Sequence, residues 1–60
     1  MKCYDHNDTE LSVGDAVMYV NNGKELECTI VELFSNNQIA IVSEDGGRGT
    51  VDAHDVYYLP

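Results

Sequence analysis

Lys24-Glu25-Leu26-Glu27-Cys28-Thr29-Ile30-Val31-Glu32-Leu33-Phe34 is the stretch on which the fold turns. Leu26, Cys28 and Ile30 alternate with Glu25, Glu27 and Thr29. That is the period of two by which a strand buries one face and wets the other. A helix competes for the Glu-Leu-Glu triplet. The run Cys28-Thr29-Ile30-Val31 favours strand by propensity, and no N-capping side chain directly precedes Lys24. The alternation changes phase at Val31-Glu32-Leu33. Keeping both Ile30 and Leu33 inside therefore requires a bulge or bend there.

Working outward, Ala16-Val17-Met18-Tyr19-Val20 is a second apolar, β-rich run, entered through Gly14-Asp15 and ended by Asn21-Asn22-Gly23. Asn and Gly tolerate the positive φ that tight hairpins need. Downstream, Ser35-Asn36-Asn37-Gln38 is a turn and Ile39-Ala40-Ile41-Val42 a third strand. Asp45-Gly46, within Ser43-Glu44-Asp45-Gly46-Gly47, is the strongest hairpin signal, and Arg48 to Asp52 returns as a fourth strand. Ala53-His54-Asp55-Val56 is short enough for one turn of 3₁₀, and Tyr57-Tyr58-Leu59 closes the set. Met1 to Glu10 has no period, so residues 1–10 are expected to form a flexible arm and residues 11–60 a single domain. Strands of about five residues with turns every eight to twelve predict a small all-β domain, either a barrel or a sandwich.

The order Leu11, Gly14-Asp15, Val17, Tyr19, then Cys28-Thr29-Ile30 and Leu33, resembles the opening half of SH3-like small barrels, nearest to the KOW and Tudor-like subtypes. Ile39 to Val42, the Asp45-Gly46 hairpin, Val51 and Val56 to Leu59 resemble their closing half. The resemblance implies a small all-β barrel of about five short antiparallel strands, with one 3₁₀ turn before the last strand. It departs from the KOW pattern at one point: Cys28 and Thr29 occupy the stretch where that motif places a glycine. No Trp is present to build a Tudor-like aromatic cage.

Composition narrows the function. Three Lys+Arg stand against eleven Asp+Glu, a formal charge of −8, which disfavours direct binding of a phosphate backbone. Hydrophobic residues make up 43% of the chain, enough to fold, unlike a disordered acidic tail. Sixty residues leave little interior for a deep substrate pocket. The longest apolar run, Ala16 to Val20, is far short of the roughly 20 residues of a membrane span, and a polar, acidic stretch follows Lys2 where a signal peptide would be apolar. Two cysteines are too few for a disulfide scaffold, so free thiols in the cytoplasm are expected.

Chemistry-bearing residues are sparse. Cys3, His6, Cys28 and His54 add up to a nominal Cys₂His₂ zinc set, but only Cys3 and His6 are closely spaced, and Cys28 falls in phase with Leu26 and Ile30. His54 between Asp52 and Asp55 is the one local His–acid grouping, and Gly46-Gly47-Arg48-Gly49 leads into a strand rather than a phosphate-binding helix. No catalysis, metal or cofactor is expected. The acids carry the functional reading. Glu25 and Glu27 share an outward face, roughly 6.5 to 7 Å apart, close to two nucleotide steps along a DNA strand. Tyr57 and Tyr58 point to opposite faces, so one is expected as an exposed anchor near Asp52, Asp55 and Asp45. Glu25, Glu27, Asp45, Asp52, Asp55, Tyr57 and Tyr58 are thus the candidate contacts for another protein with a basic surface. Charge mimicry toward a nucleic-acid-handling protein is one such role. Packing as a structural subunit against a larger enzyme is the alternative.

Overall fold

The computed structural model describes residues 1–60. The chain is all-β apart from one 3₁₀ turn. Its strands are β1 (Cys3–Tyr4), β2 (Glu10–Leu11), β3 (Ala16–Asn21), β4 (Lys24–Phe34), β5 (Gln38–Ser43), β6 (Arg48–Asp52) and β7 (Val56–Tyr58). The 3₁₀ turn, Ala53–Asp55, directly precedes β7. β3 to β6 form an antiparallel meander, and β7 returns beside β3, giving the order β6-β5-β4-β3-β7. β6 and β7 remain the two edges, so the five-stranded sheet does not close by hydrogen bonds into the expected barrel. β1 and β2 form a separate two-stranded ribbon. No helix is long and apolar enough to cross a membrane.

Turn chemistry sets the register. Asn22 and Gly23 both have positive φ, 52° and 77°, and pair Asn21 directly with Lys24. That backbone twist matches the twist of the strands it joins. In the next turn Asn36 and Asn37 also adopt positive φ. The phase change in β4 is a register shift: Ile30 opposes Ile41 and Glu32 opposes Ala40, leaving Val31 as the extra residue. One inserted residue bends the long strand and lets Ile30 and Leu33 both face the core.

The core consists of Cys3, Leu11, Val17, Cys28, Ile30, Ile39, Ile41, Ala53 and Val56, with Tyr19, Leu33 and Val51 packed against it. Two of these positions, Cys3 and Leu11, come from the N-terminal ribbon. The expected loose arm at residues 1–10 is therefore corrected: Cys3 is fully buried and Asp5 is 1% exposed. Asp5 explains the docking. Its Oδ1 accepts from the backbone N–H of Asn7 (2.9 Å) and Thr9 (2.8 Å), and its Oδ2 from Tyr58 (2.8 Å). One carboxylate thus joins the chain start to the last strand. The Asn37 side chain adds a second tie, accepting from Tyr4 N–H (2.7 Å) and donating to the Tyr4 carbonyl (3.0 Å).

Candidate functional site

Four carboxylates gather where the β3–β4 hairpin faces the β5–β6 turn. Glu25 and Glu27 project from the start of β4; Glu44 and Asp45 come from the turn after β5. With Leu26 and Ser43 they line a shallow hollow of about 290 Å³ that contains no cationic side chain. The turn that carries Asp45 is locally fixed. Asp45 accepts from the Ser43 hydroxyl and from Gly47 N–H (3.0 Å), while Ser43 N–H donates to the Gly47 carbonyl (2.7 Å). Gly46 has φ +90°, the left-handed region that a side chain would strain. The Ser43 hydroxyl, followed by Gly47 N–H, holds the Asp45 carboxyl below the usual carboxylate range, so it stays charged. That charge reaches inward: burial first, then Asp45 and Glu27, push the Cys28 thiol up. A buried thiol held protonated is a poor nucleophile.

The remaining predicted contacts lie elsewhere. Asp52 and Asp45 flank β6 at opposite ends, at least four strand steps apart, or about 13 Å. The expected grouping of Asp45 with Asp52 and Asp55 is thus corrected into two separate acidic regions. Asp52 has a structural duty there: it caps the 3₁₀ turn, accepting from His54 N–H at 2.9 Å, with His54 Nδ1 3.8 Å away. Tyr57 is half-buried under His6, whose ring centroid lies 4.7 Å from its own. His6 Nδ1 is 3.2 Å from the His54 carbonyl oxygen, which positions a ring N–H to donate to it. Tyr58 is the more exposed tyrosine, at 39%, and neither tyrosine belongs to the core.

Strand register brings one of the tyrosines to the acids of β4. Tyr57 opposes Met18, and Met18 opposes Glu27. Cross-strand partners share a face, so Tyr57, Met18 and Glu27 form a row across the outward face, with Tyr57 and Glu27 about 10 Å apart. Glu25 continues the same face opposite Val20.

Two features escaped the sequence reading. Leu26, in phase with Cys28 and Ile30, reads as core but is 48% exposed. β5 pairs with β4 only from Cys28 opposite Ser43 onward, so no strand covers Leu26 on that side. Asp5 falls within the stretch expected as a flexible arm, yet it is buried. Its signal is an Asp followed by the turn-prone Asn7-Asp8-Thr9, where such side chains bond the backbone two residues on. The four nominal zinc ligands do not converge: Cys3 and Cys28 are buried and free, and no group of three His, Cys, Asp or Glu side chains is placed to hold a metal ion. No family model, curated protein or solved structure matches this chain.

Proposed function

We propose that this chain is an SH3-like domain that catalyses no reaction and acts by binding a basic surface of another protein. The four-strand meander, the 3₁₀ turn and the last strand returning to the first support the SH3-like reading. The observation that carries the function is the cation-free hollow of Glu25, Glu27, Glu44 and Asp45. These acids sit on a folded sheet end, at spacings set by the backbone, and Asp45 is locked by its own turn. Such a surface attracts a basic groove, speeds encounter and repels acidic competitors. With Glu25 and Glu27 two strand residues apart, it offers carboxylates where a nucleic-acid-handling protein meets phosphates. The two unpaired cysteines support action in a reducing compartment, the cytoplasm.

Salt and competition test the reading. A basic DNA-binding partner retained on the immobilised chain at low salt should elute in a salt step, and the free chain should displace DNA from it. The double variant Glu25→Lys, Glu27→Lys should lose both effects. Retention indifferent to salt and to these substitutions would instead mark a subunit packed through apolar area, such as the exposed Val13, Leu26 and Val31 side chains offer.

A further inference from the structure

The acidic hollow shares a wall, at Leu26, Ser43 and Asp45, with a second cleft of about 300 Å³ whose character is apolar. Tyr19, Leu26, Ile41 and Val51 supply its apolar surface, and Gly49 and Arg48 of β6 form its far side. Two features keep it open. β5 ends before it reaches Leu26, as described above. Gly49 opposes Ile41, has no left-handed φ, and would meet nothing within 4 Å if it carried a Cβ. This glycine therefore answers no turn or packing requirement. Its effect is to leave room. A glycine inside a strand often marks the close approach of a ligand or of another backbone. β6 is also a sheet edge, whose outer row of backbone groups has no strand partner.

We propose that this cleft receives one aliphatic side chain of an extended partner segment whose neighbouring residues are Lys or Arg. The proposal rests on the protein-binding reading above and names the site it uses. Its volume sits at the bottom of the range for ligand pockets, in keeping with a single anchoring side chain. Charge orients the segment. Arg48 lines the β6 side of the cleft, while Asp45 on the wall shared with the acidic hollow, and Glu25 and Glu27 beyond Leu26, receive the flanking cations. The free edge of β6 offers main-chain hydrogen bonds to the extended backbone, so affinity comes from the edge and the anchor, and selectivity from the acids.

The test titrates the isotope-labelled protein with a short peptide holding one leucine between pairs of lysines, and with the same peptide carrying alanine for leucine. The expected result is shifts centred on Leu26, Gly49 and Val51, and binding at least tenfold weaker for the alanine peptide. Gly49→Val fills the cleft without backbone strain; it should keep its folded spectrum and melting temperature while losing leucine-peptide binding by at least tenfold. Glu27→Lys should weaken both peptides. Equal binding of the two peptides, with shifts outside the cleft, overturns the site but leaves the acidic protein-binding reading standing. A Gly49→Val protein that is folded and binds normally also overturns it, as does failure of both peptides to bind. Sedimentation showing a second copy of the chain paired on β6 would assign the cleft to self-association instead. Should Gly49→Val fail to fold, the leucine–alanine comparison on the unaltered chain decides alone.

Discussion

Asp5 shows how much one side chain holds in a domain this small. Burial raises its pKa, but the N–H groups of Tyr58, Thr9 and Asn7 outweigh that and hold it below its ordinary value. A group lowered in this way stabilises the fold fully above its unfolded pKa, about 4. That contribution is lost as pH falls through the lower folded value. Acid unfolding should therefore set in below about pH 4. The variant Asp5→Asn should be flatter in that window, because the titrating group is gone. At neutral pH it should be less stable by about 1.5–3 kcal/mol, since an amide must turn N–H against N–H toward one of its three backbone donors. Chemical denaturation at pH 3 to 7 measures both effects. Against a total of about 3–9 kcal/mol for sixty residues, such a loss is large.

At the scale of elements, the strands were legible because their signals are local. Alternation in Lys24–Phe34, the break at Val31 and the Asn-Gly and Asp-Gly turns each involve residues within a few positions of one another, and all reappear in the register. The ribbon of β1 and β2 was not legible. Each of its strands has two residues, too few for any period, and its stability comes from distant partners. Cys3 Sγ, for instance, lies 3.4 Å from the Phe34 carbonyl and 3.6 Å from that of Gln38. A loose arm could be removed without consequence. Deleting residues 1–9 should instead unfold the domain, because it opens the core beside Ala53 and strips the Tyr58 N–H of its acceptor. Circular dichroism of the truncated chain checks this, and a cooperative melt near that of the full chain would refute it.

The whole molecule is governed by its charge. Three Lys and Arg residues face eleven acids, and none of the three lies within salt-bridge distance of a carboxylate. Self-repulsion of a net −8 therefore opposes the compact state. Added salt shortens the reach of that repulsion, to about 10 Å at 0.1 M. The melting temperature should thus rise between low salt and 0.5 M sodium chloride, by about 4–8 °C for each kcal/mol recovered. Binding to a basic partner should move the opposite way over the same range. This opposition separates the two effects in one salt series.

From its sequence alone this protein has its strands, its turns and its acidic character, because alternation, φ-tolerant residues and net charge are properties of neighbours or of sums. Tertiary structure decided which acids do what. Asp5 became a buried tie because three donors from two chain regions converge on it. Asp52 became a cap, and Glu25, Glu27, Glu44 and Asp45 became one surface because two hairpin ends meet. Leu26 was left in the open by the place where β5 stops, a fact of pairing between strands that no single stretch of chain contains.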